Sequence, residues 1–451
     1  MITVSPQDHY EGYTGKALNF LKRNGASVWS RIVIHIDDTP LEGLLLPAPE
    51  GTDDLVYIKL MNGYNVAFKI DKIKNLHAIG KEKVAYKIPQ KELLQPRDLP
   101  NVVIVGAGGT IASRVEYTTG AVKPAFSAYE LANAVSEIFS IANIRMVELF
   151  RIFSEDMRPS YWITMAKQVA KEINNGAEGI VITHGTDTLQ FSATALAFML
   201  EKLAVPVVFT GAQRSSDRPA TDAAANIINA TLFAAKGKAT EVLVCMHASL
   251  HDTDALIHRG VRVRKMHSSR RDAFRTIGDI PLALISQGKI DYLKNDFDKR
   301  GMYNSSETYA DAVFEEKTAL IYVYPYMDPI IIESLIDKKY RGIVIAGTGL
   351  GHVPDRILPT IKRAIEEDVL VAMSTQCIWG PVKLDVYERG RVLKKLGVIP
   401  ADGMLPEVAY VKLGWLLGHD FDRKTTIDLF AKNLKHEIIY REPLSGFFSN
   451  I

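Results

Sequence analysis

The sequence predicts an α/β protein: a body of two parallel-sheet lobes, preceded by a small N-terminal all-β barrel. Three observations carry this reading. Runs such as Asn101-Val-Val-Ile-Val105 and Gly179-Ile-Val-Ile-Thr183 are apolar without alternation, the pattern of strands covered by helices on both faces. From residue 101 onward such runs alternate with helical segments. The first 87 residues instead alternate apolar and polar positions and carry an Asn-Gly turn.

In that first unit, residues 1–87, Ser30-Arg-Ile-Val-Ile-His-Ile36 alternates, and a run over 41–46 follows the turn at Asp38-Thr-Pro40. A run over 55–60 leads through Asn62-Gly63 into another over 64–70. The expectation is an antiparallel barrel of about five strands. Residues 88–100 read as a linker, because Pro89, Pro96 and Pro100 interleave with charged residues.

The N-lobe is expected over 101–288. Its first strand ends in Gly106-Ala-Gly-Gly-Thr110. Ser127-Ala-Tyr-Glu130 is a capping box for a helix over 131–141, and Pro159 suits the first turn of a helix through residue 173. A strand over 179–183 is followed by His184-Gly-Thr-Asp-Thr188, a helix over 192–203 and a strand over 205–210. Thr221 or Asp222 caps a helix over 223–235, and a strand over 242–245 completes an open parallel sheet. The polar stretch 289–318 reads as a second linker. The C-lobe, 319–451, repeats the logic with a helix over 330–338 and strands over 342–346 and 369–374. Gly347-Thr-Gly-Leu-Gly351 forms the turn between them.

Composition narrows the function classes. Hydrophobic residues at 47% and charged residues at 24% exclude a disordered or fibrous chain. Lys and Arg number 54 against 52 Asp and Glu, so a net charge of +2 offers no global field for nucleic acid. Cys245 and Cys377 cannot build a disulfide framework or a cysteine-rich zinc site. Apolar runs are too short for a membrane span, and the first residues lack the pattern of a signal peptide, so the cytoplasm is the expected compartment. Gly106 and Gly108 begin a dinucleotide fingerprint, but Ile111 occupies its third glycine position. No Gly-Lys-Ser/Thr phosphate loop is present either.

Ligands of open α/β sheets bind beyond the carboxyl ends of the strands. Thr110 stands at one such end, and Thr186 beside Asp187 at another. A threonine hydroxyl becomes a nucleophile when a base takes its proton. Lys265 lies in a run from Arg259 to Arg275 with seven Lys or Arg against Asp272, a local charge of +6. Like charge from Arg262, Arg264, Arg270 and Arg271 would favour the neutral amine. Each feature also has a plain structural reading: a tight turn after Gly-Gly, an Asx-type helix cap at Thr186-Asp187, and a solvated basic loop.

Their order along the chain changes the weighing. Gly108-Gly-Thr-Ile-Ala-Ser113, then His184-Gly-Thr-Asp-Thr-Leu189, then Gly211-Ala-Gln-Arg214 with Asp217-Arg-Pro219, strongly resembles the L-asparaginase/glutaminase family. The resemblance runs from residue 101 to about 435 and includes Pro406-Glu-Val-Ala-Tyr-Val-Lys-Leu413. It implies that Thr110 is the nucleophile toward a side-chain amide, and that Thr186, Asp187 and Lys265 assist proton transfer. It further implies that Tyr117 orients the nucleophile and that Ser154, with Glu155 beside it, binds substrate. The added N-terminal unit resembles the Sm- or SH3-like domain of the D-subunit family of archaeal glutamyl-tRNA(Gln) amidotransferases.

That resemblance implies a glutaminase that releases ammonia from L-glutamine. No cofactor is expected in this chain. A partner E subunit (GatE) would bind tRNA(Gln) and use ATP and Mg to activate the misacylated glutamate. A homodimer within a heterotetramer is expected. Two other readings stand beside it: a free-standing asparaginase or glutaminase with an accessory β domain, and a binding scaffold with a vestigial site. Three positions depart from the wider family pattern. Ala107 replaces a Thr, Glu155 a Gln, and Leu350 an Asn that many asparaginases lend to a neighbouring subunit.

Overall fold

The computed structural model describes residues 10–37, 39–61, 65–81, 98–108, 113–116, 121–124, 135–215 and 221–446, with backbone alone for 81, 113–116, 121–124 and 446. The Asn62-Gly63 turn, the capping box at 127–130, Thr110 and Tyr117 lie outside the described residues.

The N-terminal unit is built on five strands: β1 (Ser30–Ile36), β2 (Thr39–Leu45), β3 (Leu55–Leu60), β4 (Asn65–Lys69) and β5 (Ile73–Lys81). They form one antiparallel sheet in the order β4-β3-β2-β1-β5. Strands β3 and β4 pair from Leu55↔Lys69 to Lys59↔Asn65, the register of a hairpin. Alternation in β1 buries Ile32 and Ile34 on one face, as expected. The all-β expectation needs a correction, because a helix spans Gly15–Arg23. It buries Ala17 and Leu21, four residues apart, in the same core as Ile32 and Ile58. A single short amphipathic helix beside clear strands left too few periodic positions to register.

The body begins with an eight-stranded sheet. Five of its strands run parallel: β6 (Asn101–Gly106), β9 (Asn143–Glu148), β10 (Gly179–Thr183), β12 (Val207–Thr210) and β13 (Val242–His247). Between β6 and β9 in the chain, β7 (Ser113–Glu116) pairs with β8 (Ala121–Pro124) as a separate ribbon. Strand β11 (Leu200–Glu201) leaves the Leu189–Met199 helix and pairs with β19 (Tyr309–Ala310). Period two divides each parallel strand between two cores. Val103, Val105, Ile180 and Ile182 enter one, while Val102, Ile104 and Val181 enter the other. Each of these buried aliphatic side chains contributes roughly 1.5–3 kcal/mol by leaving water.

The expectation of a wholly parallel sheet is corrected on one side. Strands β14 (Asp254–Arg259), β17 (Ala283–Ser286) and β18 (Lys289–Tyr292) continue the sheet antiparallel. The full order is β18-β17-β14-β13-β12-β10-β6-β9. Two further strands, β15 (Val263–Lys265) and β16 (Phe274–Thr276), form an antiparallel ribbon off that side. The polar stretch read as a linker from residue 289 therefore opens with a strand. It continues with Arg300, whose guanidinium donates to the carbonyls of Gly237 and Ala234 at 2.6 Å each. Those carbonyls end the helix Ala223–Lys236, so a cation meets the negative end of its dipole. The described part of the helix expected over 131–141 is a 3-10 turn, Ser136–Ser140.

The C-lobe is a parallel sheet of β20 (Thr318–Tyr322), β21 (Gly342–Gly347), β22 (Leu370–Thr375) and β23 (Ile399–Pro400). It is not an independent body. One core contains Ile180 and Phe209 of the first sheet together with Val344 and Ala372 of the second. Between them the helices Leu189–Met199 and Pro406–Leu417 meet, with Phe198 and Trp415 stacked at 5.5 Å. Helix Pro406–Leu417 also carries Lys412, fully buried in an ion pair with Glu437. Phe430 and Lys432 carbonyls take two more of its protons at 2.8 and 2.6 Å. Removing one partner of such a pair costs about 3–5 kcal/mol.

Candidate active site

The carboxyl end of β10 sits between those of β6 and β12, with Thr183 opposite Gly106 on one side and Thr210 on the other. Ala107 N–H donates to the Thr183 carbonyl at 2.9 Å, and His184 N–H to that of Thr210 at 2.9 Å. These bonds carry the chain past the sheet edge and into the turn 184–188. The turn needs glycine at 185. A β-carbon there would lie 2.6 Å from Ser154 Cβ and 2.8 Å from Ser154 Oγ. Burial pulls the His184 imidazole down to about 4, so near neutral pH it is uncharged, its Nδ1 2.7 Å from the Gly185 carbonyl.

The second half of the site arrives from the ribbon β15–β16. Val263 and Phe274 are fully buried and anchor that ribbon in the shared core. Lys265, opposite Phe274, therefore emerges at a fixed place. Its Nζ donates to Thr186 Oγ1 at 2.8 Å and to Asp187 Oδ1 at 2.7 Å. The lysine side chain is 9% exposed and the Asp187 side chain 67% exposed. A hydroxyl, an amine and a carboxylate in one hydrogen-bonded row can pass a proton and hold a charge at the same point. The carboxylate faces solvent, where a cationic ligand group could reach it.

Ser154 is buried on the 3-10 turn Ser154–Asp156, with Glu155 exposed beside it. Thr188 Oγ1 donates to the Ser154 carbonyl at 2.6 Å, tying this turn to the one that carries Thr186. The segment that precedes Thr110 packs on the same side. Gly108 has φ of +83°, and a β-carbon on it would lie 2.4 Å from the Ile152 carbonyl, so only glycine serves there. Thus Thr186, Asp187 and Lys265 meet directly, and Ser154 joins them through Thr188 and Gly185.

The basic run meets the two sequence expectations only in part. Its middle, residues 266–270, is exposed as a solvated loop would be, but its arginines do not cluster around Lys265. Arg259 forks onto Glu241 at 2.6 and 3.0 Å, in a buried pair. Arg270 and Arg275 share Asp272, and Arg271 reaches Asp252 at 2.8 Å. Arg262 is buried and donates to the carbonyls of Gly403, Glu437 and Ile277. Loss of solvent on burial lowers it to about 10. Arg264 pairs with the buried Glu407 at 3.3 Å. Arg262 and Arg264 thus reach partners in the C-lobe, while Lys265 faces Thr186. The carboxylate that Lys265 meets is Asp187. Partners at 241, 252, 403, 407 and 437 are too remote in sequence for the run itself to disclose them.

Of the two expected caps, Thr221 Oγ1 accepts Ala223 N–H at 3.1 Å, whereas Asp222, directly before the helix Ala223–Lys236, makes no side-chain cap. Its carboxylate instead accepts Gln213 N–H at 2.9 Å, Arg214 N–H at 3.0 Å and Asn226 Nδ2 at 3.1 Å. It therefore holds the Gly211-Ala-Gln-Arg214 loop, whose Gly211 lies against Thr186. Reading Asp222 only as a cap missed this. The signal was the carboxylate following Gly-Ala-Gln-Arg at short range.

Comparison with known proteins identifies the family. Residues 101–297 match the family described as Asparaginase, N-terminal, and residues 317–430 the Glutaminase/Asparaginase C-terminal domain. Residues 26–79 match the GatD N-terminal domain. The L-asparaginase of Thermococcus kodakarensis superimposes with a TM-score of 0.66 at 30% identity, covering 75% of this chain and 99% of that one. L-asparaginase I of Vibrio cholerae gives 0.64 at 26% identity, covering 76% and 99%. The D subunit of the glutamyl-tRNA(Gln) amidotransferase of Pyrococcus furiosus is 51% identical over 432 residues, 94% of this chain and 98% of that one. Its counterpart in Methanopyrus kandleri is 44% identical over 445 residues, 96% of each. Body, N-terminal unit and full-length identity converge: the chain belongs to the family of glutamyl-tRNA(Gln) amidotransferase D subunits.

Proposed function

We propose that this chain is the glutaminase subunit of an archaeal-type tRNA-dependent amidotransferase, hydrolysing L-glutamine through Thr110. The observation that carries the reading is the Thr186–Lys265–Asp187 row in a chain related over its whole length to amidotransferase D subunits. In this reading Thr110 Oγ attacks the side-chain amide carbon of glutamine, and its proton passes to the amide nitrogen through Thr186 and Lys265. The C–N bond breaks, ammonia leaves, and a glutamyl ester remains on Thr110. Water then hydrolyses the ester, regenerating the hydroxyl and releasing glutamate. Backbone N–H groups of the two turns stabilise the oxyanion. Asp187 receives the substrate ammonium and orients Lys265, while Ser154, Glu155 and Tyr117 bind and align the substrate.

The division of the chain follows: a β domain over 1–87, a connection over 88–100, the catalytic lobe from 101, whose sheet β18 (Lys289–Tyr292) completes, and the second lobe over 319–451. The E subunit is the partner that binds tRNA(Gln). With ATP and Mg it activates the glutamate of Glu-tRNA(Gln), and ammonia from this chain converts it to Gln-tRNA(Gln). A homodimer of this chain within a heterotetramer, in the cytoplasm, completes the reading. Pairing of the basic run with internal carboxylates and carbonyls supports leaving the tRNA mainly to the partner. The test is ammonia release from glutamine by the purified chain, with and without the E subunit and misacylated tRNA. Stimulation by partner plus tRNA is expected. The same rate in all arms favours a free-standing glutaminase, and transamidation by the single chain with ATP overturns the two-subunit reading.

A further inference from the structure

We infer that His247, which touches none of the proposed catalytic groups, is a positioning residue that sets the Thr186–Lys265 hydrogen bond from both sides. The inference rests on the catalytic reading of that bond. Its starting point is that Thr186 and Lys265 come from different elements, a turn after β10 and the end of the short ribbon strand β15. A hydrogen bond of 2.8 Å between them requires both elements to be fixed relative to one another.

His247 ends β13 and is 1% exposed. Its two ring nitrogens serve two different arms. On the first, Nδ1 meets Asn226 Oδ1 at 2.5 Å. The amide orientation of Asn226 is settled by its neighbours, because Nδ2 has two acceptors, the Gly211 carbonyl at 2.9 Å and Asp222 Oδ2 at 3.1 Å. So Oδ1 is the end that faces His247, and Nδ1 is the donor. Gly211 in turn backs onto Thr186. A β-carbon at 211 would lie 2.9 Å from Thr186 Cγ2 and 2.7 Å from the His184 carbonyl. The first arm thus runs from His247 through Asn226 and Gly211 to the rear of Thr186.

On the second arm, Nε2 meets Asp252 Oδ1 at 3.0 Å. Arg271 Nη1 donates to the same oxygen at 2.8 Å and to the Leu250 carbonyl at 3.3 Å. Arg271 lies in the connection between β15 and β16. A second tether runs parallel to it, from Arg275 on β16 to the Ala248 carbonyl at 3.3 Å. Arg275 is cross-strand from Arg264, the residue before Lys265. The second arm thus reaches the ribbon that delivers Lys265. A buried ring that carries both protons, Nδ1–H donating to Asn226 and Nε2–H to Asp252, bonds one arm with each nitrogen and keeps the two elements in register.

The test uses the full-length chain and steady-state glutamine hydrolysis. His247→Ala is expected to lower kcat by about tenfold or more while KM for glutamine stays within about twofold, since misplacement far from the chemistry slows the reaction step. The deciding measurement is the same substitution in a Lys265→Met background. With the lysine gone there is no bond left to set, so His247→Ala should change kcat there by less than about twofold. An equal tenfold loss in both backgrounds assigns His247 to general folding and overturns the inference. An unchanged kcat in the single variant overturns it too. Asp252 is exposed, so Asp252→Ala cuts only the second arm without touching the core. It is expected to lower kcat about threefold, again only when Lys265 is present, and it carries the test if His247→Ala does not fold. Wild-type turnover by Lys265→Met alone is a different failure: it removes the catalytic reading of Lys265, and the inference with it.

Discussion

Two glycine-rich turns follow fully buried parallel strands, one after Gly179–Thr183 and one after Gly342–Gly347. Both contain a threonine directly after a glycine, and both lie at the carboxyl edge where α/β proteins bind ligands. After the second strand the turn closes on itself. Thr348 N–H donates to the His352 carbonyl and His352 N–H to that of Thr348, both at 2.9 Å, and Thr348 Oγ1 points to the same His352 carbonyl at 3.3 Å. After the first strand the hydroxyl of Thr186 turns outward to Lys265 instead. The difference teaches that strand, glycine and threonine make only a scaffold. Chemistry needs a third element, here a ribbon anchored by Val263 and Phe274, that brings an amine to the hydroxyl.

The comparison can be broken or sharpened by substitution. The largest effect is expected at Thr110, the proposed nucleophile. Thr110→Val should reduce ammonia release from glutamine by roughly 10⁴-fold or more with the fold intact, as loss of a nucleophile does. Wild-type release by that variant would transfer the chemistry elsewhere. An intermediate effect is expected at Gly185. Alanine there meets Ser154, so thermal unfolding should show a loss of about 1–3 kcal/mol, the usual cost of overpacking. Adding Ser154→Gly should restore the unfolding midpoint while glutamine KM stays raised, which separates packing from substrate contact. The smallest effect is expected in the second turn. Thr348→Val should leave glutamine turnover within about twofold, because its hydroxyl only reinforces a turn already closed by backbone bonds. A loss there comparable to Thr110→Val would show that the two turns are not the different objects described above.

Legibility followed the same divide between local and distant contacts. Strands β1 and β3 and the strand β10 coincide with runs that the sequence marks by alternation or by continuous apolar character. The helix Pro159–Asn174 begins at the proline that predicts it. The helix Gly15–Arg23 and the antiparallel strands β14, β17 and β18 were not legible. The strands mix polar residues such as Asp254, His258 and Asp291 with apolar ones, and what orients them is the neighbour they pair with. In the site, Thr186 and Asp187 were legible because adjacent residues must lie together. Lys265 was legible as a chemical type and as a partner of Thr186 and Asp187, but the arginines expected around it are elsewhere. The arginines beside it in sequence are drawn off by Glu241, Glu407, Asp272 and Asp252.

What the sequence determined by itself is what depends on period and neighbourhood: which runs are strands buried on both faces, where the turns fall, and which residues at those turns bear hydroxyls and carboxylates. What only the tertiary structure decided is which charges meet. Arg262 and Arg264 turn toward the second lobe and Lys265 toward Thr186, and His247 stands between the turn and the ribbon. The physical reason is range. Backbone geometry fixes side-chain direction over two to four residues, whereas an ion pair or a proton path joins groups that only the packing of a shared core brings within hydrogen-bonding distance.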